Sequence, residues 1–169
     1  MRCKLQLASG LEVTSLFAFE GPVRRVIIDW KEEGRRSARA RVIQWLEAGL
    51  APLLMAQPDR VLVPVPSSSR ADRYRGGALL REALHSAVPH AEILPAIISA
   101  RTRADQQGLS RSMRARNMHE SMLAHAMDGR PALLVDDILT TGATLRECAR
   151  AIWAQGTANV SAFTIARRS

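Results

Sequence analysis

The chain has 169 residues, 47% of them hydrophobic and 24% charged, which is the composition of one ordinary globular domain. Its 24 Lys and Arg residues outnumber its 16 Asp and Glu residues, and the resulting net charge of +8 favours an anionic ligand or partner. Two cysteines exclude a disulfide framework, and no apolar stretch approaches the roughly 20 residues of a membrane span, so we expect a cytoplasmic protein without membrane insertion.

The N-terminal part of the chain predicts an edge strand or hairpin followed by helices. Residues 11–19 lie between Gly10 and Gly21, and we assign residues 1–22 to a small β/α hood. Further along, four segments repeat the apolar spacing i, i+3, i+4, i+7 of a one-faced helix. Their apolar positions are Val23, Val26, Ile27 and Trp30; Val42, Trp45, Leu46, Gly49 and Leu50; Leu80, Ala83, Leu84, Ala87 and Val88; and Leu145, Cys148, Ala149, Ile152 and Trp153.

Short β-branched or aliphatic runs lie between and after these helices, at residues 60–65, 92–98, 132–135 and 159–166. The run 132–135 shows no alternation of apolar and polar residues, as expected of a strand that is covered on both faces. Strands that alternate with helices indicate βαβ units. The sequence therefore predicts one α/β domain over residues 1–169, with a mostly parallel central sheet and helices on both faces.

Residues 101–128 are polar, rich in arginine and weakly periodic, apart from a short predicted helix at residues 110–117. We expect a mobile loop whose Arg111 and Arg114 close over a bound anion and exclude water. A solvated charged face is at least as good an interpretation of either arginine taken alone.

The most informative segment is residues 133–145, where a buried strand precedes two carboxylates, a bend of small residues and an amphipathic helix. Such a bend surrounds one point with free backbone N–H groups, hydroxyl donors and the positive end of a helix, so it predicts a phosphate site. Thr144 and Glu147 also match a capping box, a purely structural interpretation. The candidate phosphate-binding residues are Thr140, Thr141, Gly142, Ala143 and Thr144.

The two acids, Asp136 and Asp137, are expected at the same tip as the bend. They would repel a bare triphosphate but accept hydrogen bonds from sugar hydroxyls, so a ribose phosphate fits both halves of the motif. An apolar strand that ends in two acids also occurs in P-loop NTPases. That alternative requires an upstream Gly-x-x-x-x-Gly-Lys-Ser/Thr loop, which this sequence does not contain.

The segment Val135-Asp136-Asp137, followed by residues 140–144, resembles the phosphoribosyl pyrophosphate (PRPP) motif of type I phosphoribosyltransferases. In that family the Thr-Thr-Gly loop binds the 5′-phosphate, the paired acids contact the ribose hydroxyls, and magnesium bridges ribose and pyrophosphate. The resemblance implies PRPP as substrate with Mg²⁺, phosphate binding at residues 140–144, and ribose binding and catalysis by Asp136 and Asp137. It implies no dedicated metal ligand in this chain.

The resemblance also points to the loop after Val65 and Pro66, where phosphoribosyltransferases hold pyrophosphate. Its hydroxyls and guanidinium are suitable donors to a multiply charged leaving group. A solvated turn is an equally good interpretation of this loop. The candidate pyrophosphate-binding residues are Ser67, Ser68 and Arg70.

Further motifs are similar in order and spacing to the competence protein F (ComF) family. Two features depart from that family: Cys3 alone cannot replace its N-terminal four-cysteine zinc module, and residues 77–79 replace its usual Phe-Asn-Gln. The motifs are residues 19–22 with Lys31, residues 63–66, Arg75 and Gly76, and residues 106–110 with Arg114 and Asn117.

Three functions remain open from the sequence. The first is Mg²⁺-dependent transfer of a 5-phosphoribosyl group to a nitrogen nucleophile of unknown identity, with release of pyrophosphate. The second is a non-catalytic PRPP- or nucleotide-binding accessory protein that acts with competence or DNA-uptake proteins. The third, direct nucleic-acid binding, has no motif and few aromatic residues to support it. Related folds commonly dimerise, so a homodimer is among the expected partners.

Overall fold

A computed structural model of the chain describes residues 3–66, 78–99 and 122–168. Within these residues the α-helices are α1 (Gly21–Ile28), α2 (Arg36–Ala56), α3 (Ala78–Ala87) and α4 (Ala143–Trp153). A π-helical segment, Asp29–Glu33, follows α1. The strands are β1 (Cys3–Gln6), β2 (Glu12–Ala18), β3 (Val61–Pro64), β4 (Ile97–Ser99), β5 (Met122–Ala124), β6 (Ala132–Leu139) and β7 (Val160–Arg167).

The central sheet has the strand order β1-β2-β7-β6-β3. Strand β1 runs antiparallel to β2, whereas β2, β7, β6 and β3 run parallel to one another. Residues 11–19 therefore form the second strand of an N-terminal hairpin, and β1 is the edge. The predicted mostly parallel sheet is confirmed.

Helices cover both faces of this sheet, as predicted. On one face, Leu134 and Ala162 pack into a cluster with Leu145 and Ile152 of α4. On the other face, the apolar sides of α1, α2 and α3 pack against Leu133, Phe163 and their neighbours. Within the described residues, no helix is both long and apolar enough to cross a membrane.

Helix α2 approaches β7 closely at Gly49. A Cβ atom at this position would overlap the ring of Phe163, so glycine is the residue that lets the helix backbone lie on the aromatic ring. The Phe163 side chain is fully buried as a result.

The strand predicted at residues 92–98 is wrong in most of its length. Pro95 has no N–H to donate to a neighbouring strand. Before it, Ile93 forms a single parallel bridge to Leu62. After it, β4 pairs antiparallel with β5 in a separate two-stranded sheet. Strand β5 lies within the last residues of the segment 101–128, and residues 101–121 of that segment lie outside the described part of the chain.

Candidate functional site

Strand β6 carries the two acids. The prediction that the strand ends before them is wrong, because β6 pairs with β7 as far as the Leu139–Arg167 pair. Consecutive residues of a strand point to opposite faces, so the two side chains diverge. Asp136 shares the α4 face with Leu134, and Asp137 points to the face covered by α1 and α2.

The side chain of Asp137 is 7% exposed and forms an ion pair with the ammonium group of Lys31. Lys31 lies in the π-helical segment, whose position over the sheet places a cation beside the strand end. A buried carboxylate without a partner would destabilise the fold, and the ammonium group of Lys31 offsets that cost. The sequence placed Lys31 in a motif that resembles the ComF family but did not indicate that it contacts Asp137.

The surroundings of Asp136 are buried and polar. Asp136, Thr164 and Ser15 lie opposite one another in β6, β7 and β2, and the buried hydroxyls of Ser15 and Thr164 share a hydrogen bond of 2.7 Å. The Asp137 N–H donates to Asp136 Oδ1 at 2.8 Å. Burial first, and then the charge of Asp137, raise the pKa of Asp136 well above its usual range. The Asp136 carboxyl therefore keeps its proton to higher pH than an ordinary aspartate does.

Cys148 on α4 lies beneath this polar row. Burial, together with the negative charges of Asp136 and Glu147, raises the pKa of its thiol. The thiol is fully buried and belongs to the apolar cluster under α4, in agreement with the predicted packing role.

The bend after β6 presents its two threonines outward. Thr140 and Thr141 are exposed, and Ala143 and Thr144 are half-buried. Gly142 is buried with φ +71°, and a Cβ atom there would lie 2.9 Å from Leu7 Cδ1. Glycine at this position therefore allows both the left-handed turn and the close approach of Leu7.

Helix α4 starts directly from this bend. The predicted capping box is wrong, because Gly142 occupies the N-cap position without a side-chain cap and Glu147 bonds elsewhere. The first N–H groups of a helix have no partner within the helix. In the described part of the chain, the Ala143 N–H donates to Thr141 Oγ1 at 3.4 Å, and the N–H groups of Thr144 and Leu145 have no such side-chain acceptor. These donors and the helix dipole suit an anion.

Arg146 adds a full positive charge to the bend. Its guanidinium donates to the Thr141 carbonyl at 3.0 Å and lies beside Gly142. Sequence reasoning missed Arg146, because one arginine among 22 carries no signal until its place in the first turn of α4 is known. The bend thus combines hydroxyls, backbone N–H groups and a guanidinium, which are the donors that bind phosphate.

The neighbouring strand β3 leads into the predicted pyrophosphate loop. The Val65 N–H donates to the Val135 carbonyl at 2.9 Å, so the chain leaves β3 directly beside the strand end that carries the acids. Residues 67–77, which follow Pro66, lie outside the described residues. The candidate residues Ser67, Ser68, Arg70, Arg111 and Arg114 lie outside the described residues and stay predictions.

Helix α4 also anchors β5. Glu147 is 6% exposed and accepts hydrogen bonds from Arg150 at 2.8 and 2.9 Å and from the Met122 N–H at 3.3 Å. Arg150 in turn donates to the Met122 carbonyl at 3.0 Å. The helix that begins at the bend therefore fixes the strand with which the described chain resumes at Met122.

The acids offer few ligands for a metal ion. The described residues contain no cluster of three or more His, Cys, Asp or Glu side chains that could hold one. Mg²⁺ needs only one or two carboxylates when substrate phosphates and water complete its shell. Carboxylate oxygens at the end of β6 are suitable ligands for such an ion, whose other ligands would be oxygens of the substrate.

The chain matches a known family model. The family model described as "Phosphoribosyl transferase domain" covers residues 74–169, more than half of the chain, including β6, the bend and α4. A search of curated proteins finds no match.

Proposed function

The chain belongs to the phosphoribosyl transferase domain family, and we propose that its substrate is PRPP, from which it transfers a 5-phosphoribosyl group to a nitrogen nucleophile. The family supports phosphoribosyl transfer in general. The identity of the donor, the need for Mg²⁺ and the roles of individual residues are our proposal.

The bend after β6 is the observation that carries the proposal. It joins two exposed threonines, Thr140 and Thr141, to the free N–H groups of α4 and the guanidinium of Arg146. These donors surround a point at the carboxyl end of a parallel strand, where open α/β sheets bind ligands. A 5′-phosphate bound there carries its ribose toward the acids that precede the bend.

The acids suit the ribose hydroxyls. Asp136 is only partly buried and has a raised pKa, so its carboxyl can donate as well as accept a hydrogen bond. Asp137 points to the opposite face and is buried against Lys31, so its contact with the ribose is proposed from the family resemblance.

In the proposed reaction the lone pair of the nitrogen nucleophile forms a bond to the anomeric carbon of the ribose. The bond from that carbon to the pyrophosphate oxygen breaks, the electron pair leaves with pyrophosphate, and the nucleophile releases its proton to solvent. When bound, Mg²⁺ neutralises charge on the departing pyrophosphate. Positioning of the ribose and stabilisation of developing charge are the contributions we assign to the protein.

Two segments outside the described residues complete the proposal. We assign pyrophosphate to Ser67, Ser68 and Arg70, because they follow β3 beside the acids. We assign Arg111 and Arg114 to a loop that closes over the substrate, on the basis of the sequence. The likeness to the ComF family, and with it a role in DNA uptake, stays a prediction.

A screen for pyrophosphate release tests the proposal. The protein is incubated with PRPP and Mg²⁺ and with a panel of nucleobases, amines and ammonia, and the Asp136→Asn/Asp137→Asn variant serves as control. Release that depends on one nucleophile and is lost in the variant supports transfer. Tight binding of PRPP without release by any nucleophile would instead support a sensor. No PRPP binding at all would contradict both.

A further inference from the structure

A cavity lies between the C-terminal end of α2 and the sheet, with a volume of about 320 Å³. Leu53 and Ala56 of α2 form its roof, and Thr14, Ser161 and Leu133 form its floor on three neighbouring strands. Arg60, which directly precedes β3, and Lys4 of the edge strand line it as well. Two of these three floor residues, Thr14 and Ser161, are therefore polar, although they lie on inner strands beneath a helix, where apolar side chains would be expected.

Two buried polar atoms at this cavity have no hydrogen-bond partner in the described part of the chain: Arg60 Nε and Ser161 Oγ. The guanidinium of Arg60 donates through another nitrogen to the Gln57 side chain, which leaves the Nε donor unused. Buried polar groups are almost always hydrogen-bonded, so two unpaired ones beside the same cavity indicate a missing partner.

The charges of the lining indicate the sign of that partner. Lys4 and Arg60 contribute two positive charges, and Glu12 contributes one negative charge. Burial lowers the pKa of Arg60, because its guanidinium is partly removed from water. An oxyanion would accept from Arg60 Nε and from the Ser161 hydroxyl and would restore the charge balance.

We propose that this cavity binds a small molecule through one oxyanion group, a phosphate or a carboxylate, held by Arg60 and Ser161 with Thr14 and Lys4 at its edge. Ligand pockets commonly range from about 300 to 1,000 Å³, so the cavity accepts a small metabolite. Glu12 at the rim is available to an ammonium or hydroxyl group of the same molecule.

This site is separate from the bend. Ser161 is the second residue of β7 and pairs with Leu133, the second residue of β6, so the cavity lies at the amino-terminal ends of the parallel strands. The bend follows the carboxyl end of β6. Occupancy of the cavity does not depend on the proposed transferase function, and a ligand there would contact the same central strands from the opposite end.

The test uses inorganic phosphate and acetate as probes, with binding followed by calorimetry. Because the bend is also expected to bind phosphate, the titrations use the Thr141→Val/Arg146→Gln variant, in which that site is weakened. We expect one phosphate or acetate to bind per chain, and Arg60→Gln to weaken its binding at least tenfold. Tighter binding of phosphate assigns a phosphate-bearing ligand, and tighter binding of acetate assigns a carboxylate.

Ser161→Ala provides a second variant that removes only a hydroxyl, with the exposed Ser86→Ala as its control. Without ligand, Ser161→Ala should not lower the melting temperature, because it removes an unpaired buried group. With phosphate, the wild-type melting temperature should rise and that of Ser161→Ala should rise less. The proposal is overturned if neither probe binds to the bend-weakened variant, or if Arg60→Gln and Ser161→Ala leave binding unchanged.

Discussion

The ammonium of Lys31 forms an ion pair with the carboxylate of Asp137 and thereby joins the π-helical segment after α1 to the strand that carries both acids. The pair defines one side of the candidate ribose site, because it fixes Asp137 on the α1 and α2 face while Asp136 faces α4. The two neighbouring carboxyls thus have different surroundings: one is compensated by a cation, and the other has a pKa raised by burial.

Lys31→Met should destabilise the protein, because it leaves the Asp137 carboxylate buried without its cation. Removing one partner of a fully buried pair costs roughly 3–5 kcal/mol. The Lys31 side chain is 31% exposed, so we expect less, about 2 kcal/mol in the free energy of unfolding by urea. Arg35→Met, which breaks a more exposed pair with Asp29 on the same segment, should cost only about 0.5 kcal/mol.

The double variant Lys31→Met/Asp137→Asn controls for this interpretation. Removing the charge from both partners should recover most of the lost stability, since no buried charge is then left unpaired. If the double variant is as unstable as the sum of the two single variants, the Lys31 side chain acts by packing alone and the ion pair does not stabilise the fold.

Asp136→Asn should remove a pH dependence of stability. The folded-state pKa of Asp136 is raised, so the unfolded chain loses this proton at lower pH than the folded protein does. The contribution of the protonated Asp136 carboxyl to folding stability is therefore complete below the ordinary aspartate pKa. It is lost as the pH rises through the pKa that Asp136 has in the folded protein. Asparagine does not ionise, so the stability advantage of Asp136→Asn over wild type should grow as the pH rises above the ordinary aspartate pKa of about 4.

The size of this advantage is about 1.4 kcal/mol for each unit by which the pKa is raised. The exposed Asp59→Asn controls for the change in net charge. Urea unfolding at a series of pH values provides the measurement. Parallel stability profiles for wild type and Asp136→Asn would show that Asp136 ionises equally readily in the folded and unfolded chains.

Gly142→Ala should distort the bend, and Gly129→Ala is its matched control. Both glycines have φ +71°, but a Cβ atom at Gly129 meets nothing within 4 Å, whereas one at Gly142 lies 2.9 Å from Leu7 Cδ1. The backbone strain of about 1–2 kcal/mol is therefore common to both variants. Gly142→Ala should cost about 1 kcal/mol more and weaken PRPP binding, which Gly129→Ala leaves unchanged.

Leu7→Ala in the Gly142→Ala background tests the origin of that difference. It should relieve the contact but not the strain of the positive φ. Equal losses of stability in Gly142→Ala and Gly129→Ala, measured by urea unfolding, would show that Leu7 moves away at no cost.

Glu147→Gln should loosen β5. The Glu147 carboxylate accepts from the Met122 N–H and pairs with Arg150, which holds the Met122 carbonyl. Losing the charge should cost about 2 kcal/mol and accelerate amide hydrogen exchange in Met122–Ala124. Arg130→Gln breaks the exposed bidentate pair with Glu92 and should have a much smaller effect on stability, because solvent screens exposed ion pairs. Unchanged exchange in β5 would contradict the anchoring role of Glu147.

The helices and the parallel strands could be predicted because their patterns are local. The apolar spacing from Leu145 to Trp153 ends at the same residue as α4 and begins two residues inside it. The β-branched and aliphatic run 159–166 likewise differs from β7 by one residue at each end. The spacing of apolar residues follows from burial in both elements: α4 buries one face, and β7 is covered on both faces.

The end of β6 could not be predicted in the same way. Two consecutive carboxylates are poor strand formers, and the strand continues through them because β7 offers hydrogen bonds as far as Arg167. The contacts of Lys31 with Asp137 and of Leu7 with Gly142 join residues far apart in the chain, and no local pattern encodes such contacts. The bend of small residues that follows the two acids was predictable, whereas the groups that support it were not.

Calorimetric titration with PRPP, with and without Mg²⁺, tests the central claim most directly. Wild type is compared with Thr140→Val/Thr141→Val, which keeps the shape of the bend but removes its hydroxyls, and with Arg146→Gln. We expect saturable binding of one PRPP per chain, weakened about tenfold or more in each variant because charge-assisted hydrogen bonds to phosphate contribute about 1.5–3 kcal/mol. Equal affinity in wild type and both variants, or no binding to wild type, would contradict the claim that the bend after β6 binds the 5′-phosphate.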